Sequence, residues 1–166
     1  FDPVRGETVL FGGSNGLGLS NETWLFDGAR WRRVTTTQAP SGRFAPAMAW
    51  DPTSRRVILF GGLSGTTMAD AWAWDGTSWT PLPGGPPARF SGAMSSDFER
   101  GGVVLYGGAD STPSARDTWC WDGTAWQRLA LAANTPTRVE VASTFDAERR
   151  EIVMFGGRAS ALVPHT

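Results

Sequence analysis

Three arginines recur at nearly constant spacing and are the clearest candidates for binding chemistry in this sequence. Arg43, Arg89 and Arg138 each follow a proline-containing stretch. A guanidinium group binds carboxylate or sulfate through paired N–H donors, so three of them could form an anion site. Alternatively, each could stack on an aromatic ring or donate to backbone carbonyl groups. We favour this structural alternative, because a residue that recurs in every unit usually serves the unit.

Polar loop residues are the second group of candidates. Their loops follow apolar runs and differ in length and content between units, as expected where a repeated scaffold carries a tuned binding surface. The candidates are Asn15, Ser64, Thr66, Asp110, Ser111 and Arg116. Glu22, Asp70 and Asp117 also lie near these loops, but they recur in register and are interpreted as turn or cap residues.

Residues suited to catalysis are few. The only tyrosine, cysteine and histidine are Tyr106, Cys120 and His165, which we interpret as structural or terminal. The sequence has no lysine, no Ser-His-Asp set, no metal-ligand spacing and no phosphate-binding glycine loop. We therefore assign no catalytic residue, no metal ligand and no cofactor, and we leave enzymatic activity undecided, leaning towards none.

The segments that carry these residues belong to a unit that repeats four times. An apolar run ends on a glycine pair in each unit, and the first glycines are separated by 49, 46 and 49 residues. A period in this range indicates a repeat architecture. The pairs are Gly12-Gly13, Gly61-Gly62, Gly107-Gly108 and Gly156-Gly157.

Each complete unit is predicted to contain four antiparallel strands, A to D. Strand A has small side chains and starts near the arginine, over 44–50 and 90–96, and a polar turn led by aspartate joins it to strand B. Strand B is the apolar run, whose lack of polar alternation predicts burial of both faces. Strand C carries aromatic residues two apart, and a tryptophan after an Asp-Gly turn opens strand D. The repeated tryptophans are interpreted as core rather than as a carbohydrate platform: Trp24, Trp31, Trp74, Trp79, Trp121 and Trp126.

The pattern resembles the kelch repeat, in which a Gly-Gly doublet ends the second strand, the third strand is aromatic and a tryptophan follows. Here these features are Phe60-Gly61-Gly62, Trp72, Trp74 and Trp79, with counterparts over essentially the whole chain. The resemblance implies an all-β fold, a kelch-type β-propeller of about three and a half four-stranded antiparallel blades. Kelch-like propellers include copper oxidases of the galactose-oxidase kind, but no copper site can be assembled from this sequence alone.

The unit boundaries predict an incomplete ring. We expect one propeller segment over 1–166, with a partial blade at 1–38, blades at 39–84 and 85–133, and a partial blade at 134–166. Kelch-like propellers usually have roughly five to seven blades. We therefore expect a segment of a longer propeller, an expectation that fits the start at Phe1 without a signal-peptide pattern. In the alternative, two copies join into one ring through their open sheet edges.

Charge and hydropathy argue against a nucleic-acid partner and against a membrane span. The formal net charge is −1 without a run of either sign, so we expect no nucleic-acid partner. No apolar stretch approaches the roughly 20 residues that span a bilayer, so we expect no membrane span.

Two functions from different classes remain open. The first is a non-catalytic binding or scaffold module that presents a loop-built face to a protein or glycan partner. The alternative is part of an enzyme propeller, galactose-oxidase-like or sialate-epimerase-like, whose catalytic residues lie outside this segment. Kelch-like chains of this Trp-Asp-Gly style are typically bacterial and often exported, so the resemblance implies an extracellular or cell-surface location that the sequence itself does not show.

Overall fold

A computed structural model describes residues 1–109, 117–130 and 138–159 of the chain. These residues form strands, turns and loops, arranged as four antiparallel sheets and one small ribbon. The all-β prediction is therefore confirmed. Within the described ranges, no helix is long and apolar enough to cross a membrane.

Neighbouring strands of a sheet follow one another along the chain, except that a short ribbon lies between the second and third strands of the second sheet, so the sheets are antiparallel meanders. The first sheet contains β1 (Thr8–Phe11), β2 (Thr23–Phe26) and β3 (Trp31–Val34). The second contains β4 (Ala47–Asp51), β5 (Arg56–Phe60), β8 (Ala71–Trp74) and β9 (Trp79–Leu82). The third contains β10 (Ala93–Asp97), β11 (Gly102–Tyr106), β12 (Thr118–Trp121) and β13 (Trp126–Leu129). The fourth contains β14 (Arg138–Asp146) and β15 (Glu151–Ala159), and β6 (Leu63–Ser64) and β7 (Thr66–Thr67) form the ribbon.

The predicted start of strand A was too early in the second and third sheets. Phe44 and Phe90 form isolated bridges, and the regular ladders begin only at Ala47 and Ala93. The residue after each phenylalanine has a positive φ, 51° at Ala45 and 54° at Ser91, which interrupts the extended conformation.

These kinks join the sheets to one another. The Ser91 amide donates to the carbonyl of Ala45, and the Glu140 amide donates to the carbonyl of Ser91, each over 3.0 Å. Successive sheets are thereby held together next to their first strands.

The core lies between the sheets, in two clusters of buried side chains. Val57 and Leu59 of β5 face the first sheet, whereas Ile58 and Phe60 of the same strand face the third. The predicted burial of strand B on both faces is therefore confirmed for β5, and β11 is buried in the same way. Residues of β1 and β15 are partly exposed, because these strands belong to the two ends of the stack.

Tryptophans at the start of the last strand of each sheet join neighbouring sheets. Trp79 is buried, its ring lies 5.3 Å from that of Phe11, and its indole N–H donates to Thr23 Oγ1 over 2.8 Å. Trp126 packs on Phe60 at 5.4 Å in the equivalent place. Trp31 has no preceding sheet to cover it among the described residues and is 46% exposed.

Candidate functional site

Loops and arginine-bearing segments gather at one end of the sheets, here called the loop end, where the glycine pairs lie. The second glycine of each of the first three pairs donates its amide to the arginine carbonyl of the next sheet. The distances are 2.8 Å from Gly13 to Arg43, 2.9 Å from Gly62 to Arg89 and 3.1 Å from Gly108 to Arg138. The same bond therefore fixes the base of three different loops.

The first glycine of the pair is required by this close approach. A Cβ atom on Gly61 would lie 2.3 Å from the carbonyl oxygen of Arg89, and one on Gly12 would lie 2.6 Å from that of Arg43. Both glycines also have positive φ values, 65° and 75°, that other residues adopt with strain. The pair thus allows the chain to turn and also allows a neighbouring backbone to approach.

The side chains of Arg43 and Arg89 are buried and bind groups of their own sheets, although Nη2 of Arg89 has no partner among the described residues. Arg43 donates to the carbonyl of Gly61 over 2.9 Å and to both carboxylate oxygens of Asp70 over 2.6 and 2.8 Å. Arg89 donates to the carbonyl of Gly107 over 3.1 Å and to Asp117 over 2.7 Å. Each arginine therefore links three segments of its sheet, and ligand binding by either of them stays a prediction.

The acidic residues before the third strand serve these arginines, which corrects their interpretation as turn or cap residues. Burial alone would raise the pKa of Asp70 and Asp117, but the guanidinium groups, together with the indoles of Trp72 and Trp119, hold both pKa values below the usual range. Both carboxylates therefore stay ionised and paired. Glu22 of the first sheet similarly accepts from the indole of Trp24 and from Arg33. The register of arginine and acid, 27 or 28 residues apart, was the sequence signal for this pairing.

Arg138 differs from the other two arginines. It is half-buried and lines a cavity of about 290 Å³ together with Tyr106, Val141, Met154 and Phe155. Within the described ranges, no carboxylate pairs with it. Arg43 and Arg89 are buried, so Arg138 is the one of the three predicted arginines whose side chain is partly exposed.

Three of the predicted loop residues, Asn15, Ser64 and Thr66, lie on exposed or half-exposed tips at the loop end. Asn15 closes a tight turn by accepting from the Leu17 amide over 3.0 Å, and Leu17 is 95% exposed. Ser64 and Thr66 pair across the ribbon β6–β7. Asp110, Ser111 and Arg116 lie outside the described residues. Asn15 and the ribbon thus extend from bases that the glycine–arginine bonds fix.

Another cavity, of about 360 Å³, lies along the first strands of the sheets. Its lining includes Met48, Trp50, Met94 and Phe145, with serine hydroxyls among them. Two of these hydroxyls donate to backbone carbonyls of the preceding sheet, Ser96 to Trp50 over 2.7 Å and Ser143 to Met94 over 3.3 Å. They therefore hold the sheets together rather than face the cavity as free donors.

The residues considered for catalysis do not form a site in the described structure. Tyr106 and Cys120 are buried, and burial raises the pKa of both, so the phenol and the thiol stay protonated. His165 lies outside the described residues. No group of three or more histidine, cysteine, aspartate and glutamate side chains in the described part of the chain is arranged to hold a metal ion.

No protein-family model matches the sequence.

Proposed function

We propose that this chain is part of a kelch-type β-propeller and acts as a non-catalytic binding or scaffold module, with its loop end as the binding face for a protein or glycan. The repeated meanders, the glycine pairs and the interlocking tryptophans support the propeller assignment. The second and third sheets share one four-stranded order, and the first strands of the second, third and fourth sheets lie side by side, as blades around an axis do.

The observation that carries the functional proposal is the contrast between loop bases and loop tips. Identical amide–carbonyl bonds hold the bases, from Gly13, Gly62 and Gly108 to the next sheet. The tips differ: one is a glycine-rich turn at Asn15, and another is the ribbon of Ser64 and Thr66. Variable tips on fixed bases are the usual arrangement of a recognition surface.

The opposite end of the sheets provides the comparison. Its Asp-Gly turns are nearly identical, and each aspartate accepts from backbone amides of its own turn, as Asp75 does from Thr77 and Ser78 over 2.8 Å. Asp122 accepts from Thr124 over 2.9 Å in the same way. These aspartates form hydrogen bonds within their own turns, and the turns are nearly identical in sequence. We therefore assign recognition to the loop end only.

Site-specific photocrosslinking tests this assignment. A photoreactive amino acid is placed at Thr66 of the loop end or, as the matched control, at Thr77 of the opposite end, and both positions are exposed. Each protein is exposed to a glycan library and to an extract of the source cells. We expect specific crosslinks from position 66 and none above background from position 77.

Two outcomes would contradict the proposal. One is crosslinking from position 77 that equals or exceeds that from position 66. The other is turnover, for example release of hydrogen peroxide from galactose by the copper-loaded intact protein.

A further inference from the structure

The third and fourth sheets present a surface whose groups correspond to one side of the interface between the first and second sheets. The surface consists of the free edge of β15, the face of the third sheet around Tyr106 and Thr118, and the side chain of Arg138. We call it the open edge. Among the described residues, β15 pairs only with β14, so its other edge carries no strand.

The closed interfaces of the same protein show what such a surface binds. Between the first and second sheets, Trp79 of the last strand lies on Phe11 and donates its indole N–H to Thr23. Within the second sheet, β8 pairs with β5, and Asp70 just before β8 binds Arg43. The third and fourth strands of a sheet therefore make three contacts: the third strand pairs with the second strand, the carboxylate before it binds the arginine, and the tryptophan after it packs on the neighbouring sheet.

The open edge holds the equivalent receptors. Thr118 stands where Thr23 stands in the first sheet, and Tyr106 stands where Phe11 stands. Both are buried, 5% and 4% exposed, yet Thr118 Oγ1 and the Tyr106 hydroxyl have no hydrogen-bond partner among the described residues. A buried hydroxyl without a partner costs free energy that a donor would recover.

The space and the charge at the open edge also fit a strand with a carboxylate before it and a tryptophan after it. A cavity of about 130 Å³ lies between the third and fourth sheets, with Tyr106, Thr118, Ile152 and Met154 in its lining. Arg138 corresponds to Arg43 and Arg89, but among the described residues no carboxylate pairs with it as Asp70 and Asp117 pair with those two. The open edge thus offers an edge for a strand, an acceptor for an indole N–H and a cation for a carboxylate.

We propose that the open edge binds a two-stranded β-hairpin of this protein's own repeat type. Its first strand pairs with β15, its preceding carboxylate binds Arg138, and its tryptophan enters the cavity and donates to Thr118. This surface lies at one end of the sheet stack, so the proposal stands independently of the binding function assigned to the loop end.

A fluorescent peptide with the sequence of residues 70–82 tests the proposal, because it carries the acid, the paired strands and Trp79. Binding to the full 166-residue chain is measured by anisotropy, and we expect a saturable signal. Thr118→Val should weaken binding roughly three- to tenfold, as should Trp79→Phe in the peptide, since each removes one half of a hydrogen bond. The two changes together should weaken binding no more than either alone.

The charge contact has its own matched pair. Arg138→Gln should weaken peptide binding about tenfold or more, because it removes a charge-assisted contact. Arg149→Gln removes an arginine from the turn between β14 and β15 that is 68% exposed and already paired with Asp146, and it should leave binding within about twofold. Circular dichroism and thermal unfolding of each variant identify any loss of fold.

Three outcomes of the peptide experiments would overturn the proposal. They are the absence of saturable peptide binding to folded protein, multiplicative effects of Thr118→Val and Trp79→Phe, and equal effects of the two arginine changes. A dimer of the chain that excess peptide does not displace would assign the open edge to a second copy instead, and would overturn it as well.

Discussion

Arg89 and Asp117 form an ion pair that is almost completely removed from water, with side-chain exposures of 1% and 4%. Removal of Arg89 leaves the buried Asp117 carboxylate with only the Trp119 indole and the largely exposed Arg128, 3.9 Å away, as partners. Arg43 is equally buried, but the side chain of Asp70 is 39% exposed and can be hydrated when its partner is lost. The two equivalent pairs should therefore differ in their contribution to stability.

Urea denaturation measures this difference. We expect Arg89→Gln to lower the free energy of unfolding by about 3–5 kcal/mol, and Arg43→Gln to lower it by less. Arg30→Gln is the control, since Arg30 is 84% exposed and lies 3.7 Å from Asp27, and it should change stability by less than about 1 kcal/mol. Similar small losses for Arg89→Gln and Arg30→Gln would show that the buried pair does not form.

The lowered pKa values of Asp75 and Asp122 predict how the free energy of unfolding falls at acid pH. The backbone amide of Ala125 and the Thr124 hydroxyl lower the pKa of Asp122 to about 2, from 3.8. Burial alone would raise the pKa of Asp75, but the hydrogen bonds from Ser78 and Thr77 outweigh it, and this pKa is also about 2. Because the folded-state pKa lies below the unfolded value, the stabilisation is complete above 3.8 and is lost as the pH falls towards 2.

Thermal unfolding across this pH range tests the contribution of the two turns. The double variant Asp75→Asn, Asp122→Asn keeps an acceptor oxygen but cannot titrate, so its midpoint should fall less steeply with pH than that of the wild type. Equal slopes for the two proteins would contradict the assigned pKa values. Other carboxylates with lowered pKa values, such as Asp27, should leave a residual slope in the variant.

At the scale of the elements, each of the first three glycine pairs both ends a strand and joins two sheets, whereas Gly156-Gly157 lies within β15. Gly61 and Gly65 have similar φ values, 65° and 74°, so alanine is strained at both. Only Gly61 has a neighbour in the way, the Arg89 carbonyl at 2.3 Å, whereas no atom lies within 4 Å of a Cβ on Gly65. The two positions therefore separate backbone strain from close approach.

Alanine at each position gives the test. Gly65→Ala should lower the free energy of unfolding by about 1–2 kcal/mol, the cost of a left-handed alanine. Gly61→Ala should cost at least about 2 kcal/mol more, because two backbones must separate. If it unfolds the chain, its urea midpoint in a stabilising osmolyte such as sucrose still ranks it against Gly65→Ala. Equal losses would contradict the tight glycine–arginine contact.

The strand order and the tryptophan positions could be predicted from the sequence because the same residue types return in every repeat unit. Trp31, Trp79 and Trp126 begin β3, β9 and β13 as predicted. The kink at Ala45 and Ser91 was missed because an alanine or a serine carries no signal for positive φ. The pairing of Arg43 with Asp70 was missed because it depends on how a connection folds back across 27 residues.

At the scale of the whole molecule, equivalent tryptophans join neighbouring sheets, but their hydrogen bonds differ from one interface to the next. Trp79 finds a hydroxyl acceptor at Thr23, but the equivalent residue opposite Trp126 is Ala71, and the Trp126 indole N–H has no partner among the described residues. The first interface therefore carries a hydrogen bond that the second one lacks.

Replacement of Thr23 measures the value of this bond. Thr23→Val leaves the buried indole of Trp79 without an acceptor and should lower the free energy of unfolding by about 1–3 kcal/mol. Thr23→Ser keeps the acceptor and should be milder. Thr8→Val, at an exposed position of the same sheet, is the control with an expected change below about 0.5 kcal/mol. A loss for Thr23→Val no larger than that of Thr8→Val would contradict the inter-sheet bond.

The central claim is that fixed loop bases hold variable tips as a binding face. Amide hydrogen exchange, recorded on the free chain and on its complex with a crosslinked partner, tests it most directly. The account predicts slow exchange of the Gly13, Gly62 and Gly108 amides in both states, with new protection on binding at Leu17 and Thr66 and none at Thr77. Protection on binding that falls on the Asp-Gly turns and leaves the loop tips unchanged would contradict it.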